Sequence, residues 1–152
     1  MDIYVLRNQN DDLFKKAVHV FWKQWGNEKN YSFYEDCMIH SCTATSNLPR
    51  FYVAVEDDQI IGTYALLRND LTSRQDLYPW LACLYVEEGF RGKEVGSMLL
   101  QHGLKEAFEK GYRTLYLSTD LEGYYEKYDW THSGNMYGPD GGQIKLYEKS
   151  TE

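Results

Sequence analysis

The run Leu84-Tyr85-Val86-Glu87-Glu88-Gly89-Phe90-Arg91-Gly92-Lys93-Glu94-Val95-Gly96-Ser97-Met98-Leu99-Leu100 carries the strongest chemical signal in this chain. A β-favouring apolar stretch enters a glycine-punctuated turn, which opens directly into an amphipathic helix. Such a turn aims successive backbone N–H groups into one concavity at the positive end of the helix and so makes an anion site. A diphosphate is the natural guest, with Arg91 and Lys93 adding charge and Ser97 a hydroxyl. A Walker loop is excluded because G-x-x-x-x-G-K-S/T is missing, and the dinucleotide fingerprint because G-x-G-x-x-G is missing. An ordinary strand-to-helix turn with solvated charges is the competing reading.

Three other constellations hold chemically capable residues. Cys37-x-x-His40-x-Cys42 has metal-type ligands, but no second cluster completes a tetrahedral set. Residues two apart on a helix do not face each other, so no metal is expected there. Cys83 lies mid-strand with no histidine partner in view, which favours a buried thiol over a nucleophile. Trp22, Trp25, Tyr31 and Trp80 suit either an aromatic acceptor pocket or core packing.

The elements that must position these residues are legible from period and punctuation. Met1–Arg7 alternates as a first strand. Asp11 and Asp12 then precede Leu13, Phe14, Ala17, Val18, Phe21, Trp22 and Trp25, a helical spacing closed by Gly26 and Asn27. Ser32-x-x-Glu35 reads as a capping box that starts a second helix running to about Thr45, with Pro49 barring its extension. Phe51–Val55 and Ile60–Leu67 form a hairpin around Glu56–Gln59, and Trp80–Val86 a third strand of the middle region. Val95–Lys110 is a helix with Val95, Leu99, Leu100, Leu104, Ala107 and Phe108 on its apolar face, and Gly111 ends it. Thr114–Thr119 is a strand, Tyr124–Tyr128 a short helix and Gln143–Glu148 the last strand. The order β-α-α-β-β-β-α-β-α-β describes one α/β domain over residues 1–152 with a mixed sheet.

Composition narrows the function classes. The net charge is −7 and no Lys/Arg stripe stands out, which argues against a nucleic-acid surface. No apolar stretch approaches the ~20 residues of a membrane span. Met1-Asp2-Ile3-Tyr4-Val5 lacks a basic region followed by an apolar run, so no signal peptide is expected. Three cysteines without paired spacing fit a reduced, cytoplasmic setting. The acidic balance leans towards a cationic small-molecule partner.

Tyr85-Val86, four residues, then Arg91-Gly92-Lys93-Glu94-Val95-Gly96 resembles motif A of the GNAT N-acetyltransferase family, commonly Arg/Gln-x-x-Gly-x-Gly/Ala. Downstream, Tyr124-Tyr125-Glu126-Lys127-Tyr128-Asp129-Trp130 resembles that family's Phe-Tyr-Glu-Lys-x-Gly-Phe/Trp segment. Val53-Ala54-Val55 and Ile60-Ile61-Gly62-Thr63 resemble its second and third strands. The resemblance spans the first helix to the last strand and implies a GNAT-type acyl-CoA N-acyltransferase fold with helices on both faces of the sheet. Two positions depart from the pattern: Glu94 and Asp129 each stand where glycine is usual. Glu94 is harmless if it points to solvent, but repels phosphate if it points inward.

The resemblance implies an acetyl-CoA-dependent N-acetyltransferase acting on a primary amine, by direct transfer in a ternary complex and without a metal. Acetyl-pantetheine is expected along the backbone of Leu84, Tyr85 and Val86, beside the strand ending at Thr119. Arg91, Gly92, Lys93, Glu94, Val95, Gly96 and Ser97 are expected to hold the pyrophosphate. Tyr125 matches the family's general acid, with an ordinary tyrosine pKa expected. Glu87 is the first candidate base, with Asp76 and Asp120 behind it. The resemblance also implies that the first two helices cover the acceptor, and members of the family often dimerise. Two alternatives stay open: an acyl-CoA-binding regulatory domain that has lost catalysis, kept alive by Glu94, and an interaction module without a cofactor.

Overall fold

The computed structural model describes all 152 residues. In chain order the elements are β1 (Asp2–Val5), α1 (Asp12–Trp25), α2 (Tyr31–Thr43), β2 (Arg50–Glu56), β3 (Gln59–Leu67), β4 (Trp80–Val86), α3 (Val95–Glu109), β5 (Thr114–Thr119), β6 (Thr131–Tyr137) and β7 (Gln143–Ser150). Short 3-10 turns span Glu88–Phe90 and Tyr125–Tyr128. Hydrogen-bonded strands follow the order β1-β2-β3-β4-β5-β7-β6. β4 and β5 run parallel, while β1/β2, β5/β7 and β6/β7 are antiparallel, so the sheet is mixed. No helix is long and apolar enough to cross a membrane.

Residue contacts group into two compact units. The first comprises Met1–Ala65 and Cys83–Leu99. In α1, Phe14, Ala17, Val18 and Phe21 are buried at i, i+3, i+4 and i+7, the single apolar stripe that the spacing predicts. Phe21 meets Phe51 of β2 edge-on at 5.3 Å, which ties α1 to the sheet. The Arg50 guanidinium donates to the carbonyls of Ser41, Ser46 and Pro49 and holds the exit of α2 against the start of β2. The β2–β3 hairpin turns on Asp57 and Asp58, both left-handed (φ 51° and 63°), as a two-residue type I′ turn requires.

The expected capping box does not form. Tyr31 already belongs to α2, and Ser32 lies inside the first turn. The N-cap is Asn30, whose side-chain oxygen accepts the Asn27 N–H at 2.7 Å and is thereby committed to the preceding loop.

The second unit comprises Leu66–Ala82 and Leu100–Glu152. Its core gathers Trp80, Met136 and Leu146, with Leu77, Tyr116 and Ile144 packed against them. Helix α3 ends where Gly111 predicts. Gly111 is left-handed (φ 92°), its N–H bonds the Phe108 carbonyl, and the Tyr112 N–H reaches back to Ala107, a Schellman arrangement. Glu106 and Lys110 form an i,i+4 ion pair at 3.1 Å. Phe108, however, is 52% exposed and does not belong to the apolar face of α3.

The strand β6 was not foreseen. Thr131-His132-Ser133-Gly134-Asn135 has neither alternation nor β-branched density, and in β6 only Met136 is buried. β6 exists because β7 offers it a ladder, with a bulge between His132 and Gly134.

Candidate active site

The segment β4–turn–α3 begins with a strained strand. Cys83 is left-handed in the middle of β4 (φ 55°), a state that a non-glycine residue rarely adopts inside a strand. Its carbonyl accepts the Thr63 hydroxyl at 2.9 Å. Beyond this irregularity Leu84, Tyr85 and Val86 are all half-buried. The Glu87 N–H then bonds the Ile61 carbonyl at 2.8 Å and ends the strand on its neighbour.

The turn that follows contains two more left-handed residues, Gly92 (φ 78°) and Glu94 (φ 65°). The Met98 N–H to Glu94 carbonyl bond, 3.0 Å, is the first helical one, so the N–H groups of Val95, Gly96 and Ser97 lack helical acceptors. Those donors and the helix dipole give the start of α3 the polarity that favours an anion. Gly62 lets this helix start close to the sheet. A Cβ there would stand 2.9 Å from Leu99 Cδ1 and 3.1 Å from the Tyr85 carbonyl oxygen.

The charged side chains of the turn are placed as follows. Arg91 folds back on β4: its Nε donates to the Val86 carbonyl at 2.9 Å, and its guanidinium lies 5.9 Å from the Tyr85 ring centroid. Lys93 Nζ sits over the Phe90 ring at 5.6 Å. Glu94 is exposed, while Ser97 is buried. Arg91 is therefore engaged with the strand rather than held over the helix start.

At the end of β4 the Tyr85 hydroxyl donates to Glu87 Oε2 at 3.0 Å. Burial first, and this hydrogen bond second, push the Tyr85 phenol above its ordinary pKa and keep it a donor. Trp25, from the last turn of α1, meets the Tyr85 ring edge-on at 6.3 Å. Trp22 pairs with Tyr31 at 5.3 Å. Trp80 is fully buried in the core of the second unit and is no pocket residue.

In the second unit Tyr125 is buried, 7% exposed, inside an aromatic cage. Tyr124 lies at 4.9 Å, Tyr147 at 5.6 Å and Trp130 at 6.3 Å. Burial, then the neighbouring phenols Tyr124 and Tyr147, push Tyr125 up to about 12, against the ordinary value that the sequence suggests. The Tyr147 hydroxyl donates to Glu126 Oε2 at 2.8 Å and holds the Glu126 carboxyl below its usual range. Asp129 is left-handed (φ 65°). Thr119 Oγ1 accepts the Leu121 N–H at 3.0 Å.

Of the other candidates, Asp76 is clamped by Arg74 through two hydrogen bonds of 2.9 and 2.8 Å. That guanidinium holds its carboxyl below the usual range, which makes it a poor base. Asp120 is exposed. His40 Nδ1 is 2.9 Å from the Asp36 carbonyl oxygen, and the Cys42 thiol donates to Leu6 and Met38 carbonyls. No three His, Cys, Asp or Glu side chains converge as a metal site would need. Thr63, Tyr147 and the bend at Cys83 escaped the sequence reading. Only Tyr147 had a signal, as an aromatic in an alternating strand.

A sequence model of the acetyltransferase (GNAT) family matches residues 14–130, from α1 through the turn and the Tyr125 segment. This chain belongs to the GNAT acetyltransferase family. Acetyl-CoA is the co-substrate of such enzymes, and the donor-rich start of α3 suits its diphosphate. Solved GNAT structures share the fold. An aminoglycoside 6'-N-acetyltransferase complexed with coenzyme A is 18% identical, with a TM-score of 0.75, over 100% of this chain and 98% of that one. The aminoglycoside 6'-N-acetyltransferase from Enterococcus faecium is 18% identical, with a TM-score of 0.74 and the same coverage. An N-acetyltransferase from Staphylococcus aureus Mu50 is 19% identical, with a TM-score of 0.70 and 100% of both chains covered. No curated protein matches the sequence.

Proposed function

We propose that this GNAT acetyltransferase moves the acetyl group of acetyl-CoA directly to a primary amine while both are bound. The observation that carries the reading is the strained β4 running into the Arg91–Ser97 turn, with unpaired N–H groups at the start of α3. Val95, Gly96 and Ser97 supply main-chain donors to the pyrophosphate, and Gly92 and Glu94 give the turn its left-handed bends. Arg91 and Lys93 add local positive charge. The backbone of Leu84, Tyr85 and Val86 takes the pantetheine arm, with Thr119 also assigned to that arm.

When bound, acetyl-CoA supplies the thioester carbon that the amine nitrogen attacks. Glu87 takes the proton that the amine gives up, while its other contact, the Tyr85 hydroxyl, fixes its orientation. Tyr125 donates to the sulfur as the C–S bond breaks. A phenol at about 12 is a weaker acid than an ordinary thiol near ~8.5, so Tyr125 acts first as a hydrogen-bond donor. Its proton follows only as charge builds on sulfur. The aminoglycoside enzymes of the same fold support an amine acceptor, and a cytoplasmic setting goes with a cofactor made inside cells.

Calorimetric titration with acetyl-CoA, with desulfo-CoA and ATP as controls, tests the reading. Saturable binding of acetyl-CoA but not of ATP, followed by thiol release with an amine panel, is the expected result. Equal binding of ATP, or no acetyl-CoA binding, overturns it.

A further inference from the structure

Where α3 turns through Gly111 into β5, the chain leaves an open cleft of about 340 Å³ beside the loop that leads into β4. Tyr78, Tyr112, Arg113, Thr114 and Tyr116 line it, with Asp76 as the one carboxylate. It gathers at the end of α3 and the start of β5. Those are the opposite ends of these elements from the Val95–Ser97 donors and from Thr119.

The walls are aromatic. Tyr78 and Tyr112 meet edge-on at 6.3 Å and 88°, and Tyr78 is 51% exposed. Burial first, then the Glu148 carboxylate, push the Tyr116 phenol above its ordinary pKa and keep it a donor.

Positive charge collects here in a chain of net charge −7. Arg113 lines the cleft, Arg74 holds Asp76, and the Arg68 guanidinium lies over the Tyr78 ring at 5.5 Å. These are three of the six arginines in the sequence. Asp76 is already spent on Arg74 through hydrogen bonds of 2.9 and 2.8 Å. The Arg113 guanidinium, in contrast, is exposed and makes no ion pair or ring contact. Thr151 binds the Arg113 and Tyr112 carbonyls through its N–H and hydroxyl, yet the following Glu152 does not pair with that guanidinium. A free planar fork matches a carboxylate with two parallel hydrogen bonds, and the adjoining rings offer contact area to a flat group. Asp76 and Glu148 nearby disfavour a dianion, so a single carboxylate suits the cleft better than a phosphate.

We propose that this cleft is a second ligand site that binds a small aromatic carboxylate, its acid group on Arg113 and its ring against Tyr78 and Tyr112. Acetyl transfer does not call for such a site, and its occupancy is independent of that reading.

The test is a titration by protein NMR with indole-3-acetate, indole-3-acetamide and acetate, each with and without coenzyme A. Wild-type protein should bind indole-3-acetate about tenfold or more tightly than the uncharged amide or the ringless acid. The shifts should fall on the amides of Tyr112, Arg113 and Thr114, and coenzyme A should not displace the probe. Arg113→Gln should reduce indole-3-acetate to the affinity of the amide, and Tyr78→Leu should bring it towards that of acetate. Both substitutions replace exposed side chains, so the fold and the acetyl-CoA titration should be unchanged. No preference over the amide in wild type, a preference kept in Arg113→Gln, or displacement by coenzyme A overturns the site. Failure of acetyl-CoA to bind wild type would sink the acetyltransferase reading and leave this site standing.

Discussion

Glu94 and Asp129 share one backbone state: each has a φ of 65°, in the left-handed region. Each also stands where the family motif has glycine, so both departures fall at positions whose geometry explains the glycine. An L-residue there carries a strain of about 1 kcal/mol. Asp129 softens it, because short polar side chains tolerate this region; Glu94 has no such help.

Glu94→Gly should therefore stabilise the protein by about 0.5 kcal/mol, since relief of strain exceeds the extra flexibility of the unfolded chain. Glu94 is exposed and screened by water, so acetyl-CoA affinity should stay within about twofold of wild type. Glu94→Val, β-branched at positive φ, should lose stability instead. Urea unfolding and calorimetry on the two variants check the contrast, which a flexible, unstrained turn would not produce.

Gly62→Val places a branched side chain where even a Cβ stands 2.9 Å from Leu99 Cδ1 and 3.1 Å from the Tyr85 carbonyl oxygen. Leu99 can shift, but the carbonyl belongs to the backbone of β4. A loss of about 2–3 kcal/mol in unfolding free energy is expected, together with weaker acetyl-CoA binding as the start of α3 moves off the sheet. Unchanged denaturation midpoints would show that the packing is looser than these distances imply.

Tyr125→Phe should lower kcat at least ~10-fold while the Kd for acetyl-CoA stays within about twofold, because only the donor to sulfur is lost. The phenol is raised to about 12 in the fold, so it stays protonated across the working range and adds no alkaline limb below about pH 11. For a group whose pKa rises on folding, the stability it adds is complete below the unfolded value near 10. That stability fades as pH climbs through 12. Wild type should thus lose about 3 kcal/mol more than Tyr125→Phe between those limits, read from pH-dependent urea melts.

Tyr147→Phe removes the hydroxyl that holds Glu126 below the usual carboxylate range. The Glu126 pKa should rise towards its ordinary value, as NMR titration of the side-chain carboxyl reads directly. A depressed carboxyl supports the fold above its unfolded pKa and loses that support as pH falls, so the variant should show a shallower acid-side decline. The Tyr147 ring still packs on Tyr125, so turnover should fall far less than in Tyr125→Phe.

Local signals made much of the molecule legible. The 3.6-residue stripe of α1, the glycine that closes α3 and the β-rich run of β4 each depend on contacts within a few residues, and each appears where expected. β6 was illegible because a polar strand is defined by its neighbour's free N–H and C=O groups, not by its own side chains. The capping box at Ser32 failed because Asn27 and Asn30 settled the helix start first.

The same division runs through the site. The run Arg91–Ser97 determined by itself that backbone donors gather at a helix start, since glycine placement and helix polarity are local properties. The identity of Tyr125 was likewise written in its segment. Only the tertiary structure decided that Tyr125 is caged to about 12 and that Arg91 turns onto Tyr85. It alone bent β4 at Cys83, paired the Tyr85 hydroxyl with Glu87 and set Trp25 against the Tyr85 ring. Those outcomes depend on burial and on partners distant in sequence, whose electrostatic and packing terms no local window contains.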